Sequence, residues 1–304
     1  MRNASTQVVY ELVKKDRRVL AISSDSRNDI YNKIRLEYPN QYLEYGIAEA
    51  NVIASAAGLA SCGKIPFIYS ITNFLSMRAF EFIRNDVCIG NQNVKFLGRC
   101  AGLVSSNMGP THQGTEDIAL LRTLPNLIVI TPATPIEAKE ATKFAYIHSG
   151  PVYIRLEGFG EAENFDESYR FELGRGKVLR DGDDVAVIAT GSIFNEAIDV
   201  AVALEREGIS VAVIDMPTVK PIDEDLIKKL GNETRGIITL EEHSIYGGLG
   251  SAVAEVLAEN GINTQFRRIG LRGCAVGCGS RAAMREMNGL SPEHLLKTIR
   301  EIAG

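Results

Sequence analysis

The sequence predicts an α/β protein of two domains, each a mostly parallel β-sheet flanked by helices. Short runs of branched apolar residues alternate with longer stretches of helical periodicity along most of the 304 residues. Such alternation favours parallel strands whose two faces are covered by helices. A charged stretch at 161–172 interrupts the pattern and is typical of a linker. We therefore predict a first domain in residues 1–160, a linker in 161–176 and a second domain in 177–304.

The first domain is expected to open with a helix and then to alternate. Its runs of Val, Ile and Leu suit strands that are buried on both faces. The predicted strands are 19–23, a short run that ends before Gly46, 65–69, 94–97, 127–131 and 152–156. The predicted helices are 5–14, 28–36, 49–60, 74–89, 115–123 and 134–147.

The second domain repeats the alternation on a smaller scale. Its predicted strands are 185–190, 211–214, 236–240 and 266–269. Its predicted helices are 193–207, 223–230, one that starts near 250, and a last one that reaches the C-terminus. These elements are enough for a second α/β core.

Charge and hydropathy exclude several classes of function. The net charge is −5 without a basic stripe, so nucleic acid is not an expected partner. No run approaches the roughly 18 apolar residues of a membrane span. The polar first residues do not resemble a signal peptide. We therefore expect a cytoplasmic enzyme without a membrane anchor.

The five cysteines are an odd number, and four of them lie among apolar or small residues. We predict buried thiols rather than disulfides. Cys274 and Cys278 are separated by three residues, with no second Cys or His pair nearby. This spacing does not favour zinc, so no metal ligands are predicted in this chain.

Glu49 stands at the start of a predicted helix, directly after a strand and Gly46. The residues that follow are small, among them Ala56 and Gly58, so this helix can pack closely against a sheet or another subunit. A carboxylate in such apolar surroundings is either held by a specific partner or used in chemistry. An acidic residue that complements the helix dipole is the alternative. The residues alone leave both interpretations open.

The run Tyr45-Gly-Ile-Ala-Glu-Ala-Asn51 closely resembles the pyrimidine-binding motif of thiamine diphosphate enzymes of the transketolase type. In that family the matching Glu hydrogen-bonds the N1′ nitrogen of the aminopyrimidine and favours the tautomer that takes the proton from thiazolium C2. The resemblance implies that Glu49 binds the cofactor and is the catalytic acid that helps to generate the ylid. It covers nearly the whole chain, and implies a pyrimidine-binding domain followed by a transketolase C-terminal domain.

The segment from Tyr69 to Arg78 follows a predicted strand, where ligands of parallel sheets usually bind. Its Asn-Phe-Leu resembles the Thr-Phe-Leu of transketolases and deoxyxylulose-phosphate synthases, whose Phe packs on the aminopyrimidine ring. The resemblance implies that Phe74 stacks on the cofactor, worth roughly 0.5–1.5 kcal/mol beyond area burial. It also implies that Tyr69 helps to wall the pocket, and that Arg78 matches an active-site Arg of the synthases and binds substrate.

The run Gly109-Pro-Thr-His-Gln113 presents an imidazole on a loop just before a helix. It closely resembles the Gly-Pro-Thr-His-Gln of transketolases, whose His lies at the substrate carbonyl and hydroxyls. The resemblance implies that His112 is catalytic and binds substrate by hydrogen bonding or proton transfer. The downstream run Leu240-Glu-Glu-His-Ser-Ile-Tyr-Gly-Gly-Leu249 resembles the family's C-terminal domain, in which we expect His243 to be structural or at a subunit contact.

A thiamine enzyme normally holds its diphosphate through Mg²⁺ ligated by a Gly-Asp-Gly … Asn motif, and no such motif is present. The sequence also begins directly with the pyrimidine-type domain. The resemblance therefore implies the β subunit of a split enzyme, with an α subunit that supplies the diphosphate and metal site. We expect an α₂β₂ assembly with active sites between chains, and no activity from this chain alone.

Three positions on the substrate side differ from ordinary transketolases. Met108 replaces an acidic residue before Gly-Pro-Thr-His, Cys100 falls at or near a basic residue used on the sugar phosphate, and Gly158 aligns with an Arg. Arg suits phosphate because its planar fork donates bidentate hydrogen bonds. The sequence therefore predicts an unusual sugar, either unphosphorylated or charged at another position.

The predicted activity is transfer of a two-carbon ketol unit from a ketose donor to an aldehyde acceptor. Compensating substrate contacts are expected from Arg78, Arg99, Arg155 or Asn107. One alternative is the β subunit of a 2-oxo acid dehydrogenase or of a deoxyxylulose-phosphate-type synthase, either of which would release CO₂ from pyruvate. Another is a non-catalytic structural or regulatory subunit.

Overall fold

The structure is a computed structural model that describes residues 1–26, 28–158 and 161–304. The chain forms two compact units. Unit 1 contains Met1–Ala101 and Leu120–Phe171, and unit 2 contains Gly102–Ala119 and Glu172–Gly304. Each unit is built on a mostly parallel sheet flanked by helices, which confirms the predicted fold class. The segment Gly102–Ala119 belongs to unit 2, although the predicted first domain includes it.

Unit 1 is organised by parallel strands in the order β5-β6-β4-β3-β1-β2. Ser23 at the end of β1 lies opposite Tyr69 of β3, and Ile71 at the end of β3 lies opposite Arg99 of β4. The carboxyl ends of three neighbouring strands therefore meet at one edge, where ligands of parallel sheets usually bind. The strands are β1 (Val19–Ser23), β2 (Tyr42–Glu44), β3 (Ile65–Ile71), β4 (Lys95–Arg99), β5 (Ile128–Ile130) and β6 (Val152–Leu156).

Helices cover this sheet, and side-chain caps fix where two of them begin. Asn28 accepts a hydrogen bond from the Tyr31 N–H, and Thr134 accepts one from the Glu137 N–H ahead of a Pro at the first helical position. The helices are α1 (Arg2–Lys15), α2 (Asp29–Glu37), α3 (Glu49–Ser61), α4 (Phe80–Phe82) and α6 (Pro135–Ile147), with π-helical turns at Phe74–Arg78 and Ile83–Ile89 and a 3₁₀ turn at Pro39–Gln41. The segment Gly102–Ala119 of unit 2 carries 3₁₀ turns at Ser106–Met108 and Pro110–His112 and the start of α5 (Asp117–Leu121).

Unit 2 contains a five-stranded sheet in the order β12-β11-β8-β9-β7, in which only the β7–β9 pairing is antiparallel among the described pairings. Apolar residues of β8, β9 and β11 pack with α8 and α9 to form its core. The strands are β7 (Lys177–Arg180), β8 (Val185–Thr190), β9 (Val211–Asp215), β10 (Thr218–Lys220), β11 (Gly236–Ser244) and β12 (Gln265–Leu271), and the helices are α7 (Phe194–Glu205), α8 (Glu224–Glu233), α9 (Leu249–Glu259), α10 (Arg281–Met287) and α11 (Pro292–Ala303). No helix in the described ranges is both long and apolar enough to cross a membrane.

The five cysteines are free thiols, but the prediction that they are buried is wrong for three of them. Cys88 and Cys100 are buried, whereas Cys62, Cys274 and Cys278 are exposed. Cys62 follows the last residue of α3, and the other two lie in the loop between β12 and α10, so small neighbours here mark turns rather than a core. Across the described ranges, no group of three or more His, Cys, Asp or Glu is placed to hold a metal.

Candidate active site

Glu49 is the first residue of α3 and is buried. The chain turns between β2 and α3 at Gly46, whose φ of 66° suits glycine. The Glu44 carboxylate holds this turn because it accepts hydrogen bonds from the N–H groups of Asp25 and Gly46. Glu49 then begins the helix with 2% of its side chain exposed. A carboxylate here also gains from the helix dipole, so this position alone is compatible with both interpretations of Glu49.

Arg78 is the partner of Glu49. Arg78 Nη1 donates to Glu49 Oε2 over 2.7 Å, and Arg78 Cζ lies 4.5 Å from the centroid of the Phe74 ring. Unit 1 thus brings together three residues that the sequence singled out. The Arg78 side chain is 47% exposed, whereas the carboxylate is buried. The carboxylate and the aromatic face, which we call the Glu49–Phe74 cradle, together accommodate a flat group that donates hydrogen bonds.

Phe74 and Arg78 are the two ends of one π-helical turn, Phe74–Arg78, which follows β3. A continuous helix is predicted over 74–89, but the structure alternates π-helical turns with the short α4. π-Helical turns are rare and frequently occur at functional sites. This turn places both side chains near the start of α3, which explains how residues 25 to 29 positions apart in sequence meet.

A second group of residues lies at the ends of β3 and β4 in unit 1. Arg99 Nη1 and Arg2 Nη1 approach Cys100 Sγ to 3.2 Å and 3.6 Å, and Arg99 Cζ lies 6.0 Å from the centroid of the Tyr69 ring. We call these four residues the arginine cluster. Burial raises the pKa of the Tyr69 hydroxyl, which therefore stays protonated at neutral pH. Tyr69 thus lies with the arginines, and its predicted cofactor contact remains a prediction.

The sheet edge that carries the arginine cluster also has hydrogen-bonding groups that no described residue satisfies. Arg99 Nε is buried without a hydrogen-bond partner in the described ranges, as are Ser70 Oγ and Thr72 Oγ1 at the end of β3 and Ser26 Oγ after β1. Buried polar groups nearly always have a partner, and leaving one unpaired costs about 1–3 kcal/mol. A cation with an unused donor, at a sheet edge that carries further unused hydroxyl groups, suits an anionic ligand.

Arg2 is a candidate that the sequence patterns missed. The predicted first helix begins at residue 5, whereas α1 begins at Arg2 and leaves that residue only 9% exposed. No local signal marks Arg2, because its approach to Arg99 is created by tertiary structure. Arg155, by contrast, is a predicted compensating residue that forms a buried ion pair with Glu157, at 3.5 Å between Nη1 and Oε1.

His112 and Asn107 lie in unit 2, on the segment Gly102–Ala119. Gly109, with φ of 82°, joins the 3₁₀ turns that carry Asn107 and His112. His112 is half-buried, and its Nδ1 lies 3.0 Å from Thr111 Oγ1. Asn107 is exposed, and its backbone oxygen accepts a hydrogen bond from Cys278 Sγ over 2.8 Å. The predicted site residues therefore lie in two groups in unit 1 and on one segment of unit 2.

Glu242 anchors this segment within unit 2. It is fully buried, and its Oε1 accepts a hydrogen bond from the Leu103 N–H over 2.6 Å. The same carboxylate accepts hydrogen bonds from Arg281 Nε, which lies 3.0 Å from both oxygens, and from Arg285 Nε. One signal for Glu242 is present in the sequence, because this charged residue closely follows a buried apolar strand. That strand, β11, is predicted to end at 240, so Glu242 falls outside it. The structure extends that strand to Ser244.

Two further contacts hold the segment to the loop that precedes α10. Ser106 Oγ donates to the Gly279 carbonyl over 2.9 Å, and Gln113 Nε2 donates to the Gly277 carbonyl over 3.1 Å. The residues on both sides of His112 are thus fixed by the C-terminal part of the chain. The position of the imidazole within unit 2 depends on that loop.

His243 is buried next to the end of the same segment. Its Nδ1 donates to the Ser244 carbonyl over 2.7 Å, and its Nε2 accepts a hydrogen bond from the Ala119 N–H over 3.3 Å. A carbonyl only accepts, so the neutral ring carries its proton on Nδ1. Both nitrogens are used in backbone contacts, which supports a structural role.

Comparison with protein families and known relatives identifies both domains of the chain. Residues 1–157 match the model of the transketolase pyrimidine-binding domain, and residues 174–295 match that of the transketolase C-terminal domain. A 6-deoxy-6-sulfo-D-fructose transketolase subunit from Clostridium sp. (strain MSTE9) is 34% identical, over 99% of this chain and 94% of the relative. An apulose-4-phosphate transketolase subunit from Phocaeicola vulgatus is 33% identical, over 99% of this chain and 96% of the relative.

A solved structure is similar over the same length. It is described as a split-gene transketolase in the form of an inactive β4 tetramer. The two chains are 37% identical, superpose with a TM-score of 0.91, and the match covers 99% of this chain and 97% of the other. The chain belongs to the transketolase family and carries its pyrimidine-binding and C-terminal domains.

Proposed function

We propose that this chain is the β subunit of a split transketolase-type transferase, which moves a two-carbon ketol unit from a ketose to an aldehyde with the help of thiamine diphosphate. The Glu49–Phe74 cradle carries this proposal, because it joins a carboxylate of 2% exposure to an aromatic face. The subunit names of two relatives support it further.

The cradle fits the aminopyrimidine of thiamine diphosphate by its chemistry. The Arg78 guanidinium, a flat group that donates hydrogen bonds, already contacts both the carboxylate and the ring. Glu49 would hold a proton at the pyrimidine nitrogen that faces it, and its burial excludes water from that hydrogen bond. Phe74 would support the ring by stacking. When bound, the cofactor supplies a nucleophilic carbon for breaking and forming the bond beside a carbonyl.

We assign the diphosphate and Mg²⁺ to an α subunit. The sequence has no Gly-Asp-Gly … Asn motif with which to bind them. Two relatives that align with nearly the whole chain are themselves named as subunits. The proposed enzyme is therefore an α₂β₂ assembly in which this chain contributes the pyrimidine contacts and His112 contributes hydrogen bonding or proton transfer at the substrate.

The arginine cluster indicates that the sugar carries an anionic group. Arg99 Nε has no hydrogen-bond partner among described residues, and Arg2 converges with Arg99 on Cys100. A tetrahedral phosphate or sulfonate matches the planar, charged fork of Arg. One relative is named for a sulfosugar and one for a sugar phosphate, which supports the same chemistry here. We infer that these arginines take over the position where Cys100 replaces the family's basic residue.

Calorimetry with thiamine diphosphate and Mg²⁺ tests the assignment of the cofactor. We expect binding by the chain co-expressed with a partner that carries the missing motif, no tight binding by the chain alone, and loss of binding in Glu49→Ala. Tight binding by the isolated chain would contradict the split site. Unchanged binding by Glu49→Ala would contradict the cradle.

A comparison of donor sugars tests the arginine cluster. Arg99→Met should lower kcat/KM for an anionic ketose by about 10–100-fold, because hydrogen bonds to charged groups contribute about 1.5–3 kcal/mol. It should change kcat/KM little for an uncharged ketose. Arg84→Met is the matched control, since Arg84 is exposed and bonds to Asn85. Equal losses with both sugars would contradict anion recognition by Arg99.

A further inference from the structure

Arg78 contacts both the carboxylate and the aromatic ring of the Glu49–Phe74 cradle. Its Nη1 lies 2.7 Å from Glu49 Oε2, and its Cζ lies 4.5 Å from the Phe74 ring centroid. Guanidinium is planar, it donates hydrogen bonds in its plane and it stacks on aromatic rings. An aminopyrimidine ring has the same three properties. A pyrimidine that bonds to this carboxylate oxygen and stacks on this side of the ring would have to displace the guanidinium.

The surroundings of Arg78 allow it to leave. Its side chain is 47% exposed, so the guanidinium can regain water when it is displaced. Within the described ranges, Arg78 forms no hydrogen bond or ion pair other than the one to Glu49. It also ends the π-helical turn Phe74–Arg78, a rare backbone geometry that frequently occurs at functional sites.

We propose that Arg78 is a competitive plug of the Glu49–Phe74 cradle, which the pyrimidine of the cofactor must displace before it can bind. The plug keeps the buried carboxylate paired until it is exchanged, because an unpaired buried charge is costly. The plug also weakens the apparent affinity for the cofactor. The apparent association constant is the intrinsic one multiplied by the fraction of molecules in which the cradle is open. This inference rests on the proposed function, since it takes thiamine diphosphate as the ligand.

The rate constants of cofactor binding distinguish a plug from a residue that holds the cofactor. If nine-tenths of the molecules are plugged, Arg78→Met should raise the association rate constant by about tenfold and leave the dissociation rate constant unchanged. A residue that holds the cofactor would instead raise the dissociation rate constant when it is removed. Arg78→Lys, which keeps the charge without the planar fork, should give an intermediate association rate.

The experiment uses the assembled enzyme with its α partner, thiamine diphosphate as the probe and saturating Mg²⁺, and follows binding by stopped flow. Arg84→Met is the matched control, because Arg84 is exposed and lies six residues further along the same helical run without contacting the cradle. We expect it to behave as the wild type. Faster association of Arg78→Met alone supports the plug.

The failures of the two proposals can be told apart. If the wild-type assembly binds thiamine diphosphate, but Arg78→Met associates at the wild-type rate or dissociates faster, the plug is wrong and the proposed function stands. If neither assembly binds the cofactor, both are wrong. A crystal structure of the loaded assembly gives a second readout: Arg78 still bonded to Glu49 beside the bound pyrimidine would also overturn the plug.

Discussion

Replacement of Glu242 by Gln tests whether this carboxylate holds the His112-bearing segment in place. Gln keeps an oxygen that can accept from the Leu103 N–H, but removes the negative charge that faces Arg281 and Arg285. The variant therefore separates the ion pairs from the backbone hydrogen bond. The side chain is nearly isosteric, so packing around β11 is retained.

The expected loss of stability is large because the carboxylate is fully buried. Removing one partner of a buried ion pair costs about 3–5 kcal/mol. Arg281 and Arg285 are 26% and 14% exposed, so water can partly solvate their charges when Glu242 is neutral. We therefore expect a decrease of about 2–4 kcal/mol in the free energy of unfolding of unit 2.

Hydrogen exchange measured by mass spectrometry gives a local assay. Protection of the backbone amides in Gly102–Ala119 should fall in Glu242→Gln, whereas protection of β1 in unit 1 should not change. Glu207→Gln is the matched control, because Glu207 also pairs with an Arg, Arg300, but both side chains are over 40% exposed. It should leave both regions unchanged. A decrease of less than about 1 kcal/mol in Glu242→Gln would refute the anchoring role.

Three further substitutions test other parts of the structure. Burial lowers the pKa of Lys95 to about 7 from 10.5, so between these values the unfolded chain binds a proton that the folded chain does not. The free energy of unfolding of the wild type, measured with urea, should therefore rise by as much as about 5 kcal/mol from pH 7 to pH 10.5, and Lys95→Met should lack this rise. If the free energies of the two proteins change in parallel with pH, Lys95 is not the cause of the rise. Gly98→Ala should lower the free energy of unfolding by about 1–3 kcal/mol, because the new Cβ would lie 2.7 Å from the Tyr153 ring. An unchanged midpoint of urea unfolding would show instead that the strand adjusts. Gly102→Ala should expose the Leu103 amide to exchange, because φ is 65° at Gly102 and the new Cβ would collide with Glu242; retained protection would contradict this.

The sequence predicts the fully buried strands best. The structure has β1 (Val19–Ser23), β6 (Val152–Leu156) and β8 (Val185–Thr190) at the predicted bounds, because short, mostly apolar runs rich in branched residues suit strands that are buried on both faces. β7 was not predicted. It is an edge strand in which Lys177 and Arg180 flank two apolar residues, a pattern too short and polar to distinguish from a loop.

The candidate site was predictable where a motif is continuous in sequence. Glu49 and Phe74 were found from local motifs, and the structure brings them together through Arg78. The sequence predicts substrate contacts from both Arg78 and Arg99, but the structure places Arg78 with Glu49 and Phe74, and Arg99 with Tyr69. The position of Arg78 depends on the π-helical turn. Local periodicity does not separate this turn from an α-helix. Arg2 lies 98 residues from Cys100, so only the tertiary fold reveals their contact.

The membership of Gly102–Ala119 in unit 2 has a consequence for recombination between relatives. A chimera joined at the linker would pair a foreign C-terminal half with the native segment around His112. The foreign half would then have to supply matching partners for Leu103, Ser106 and Gln113. Exchanges that move 102–119 together with the residues after 172 keep these matched sets intact. Among relatives, substitutions in these two stretches should therefore be correlated, even though more than fifty residues separate them in the sequence.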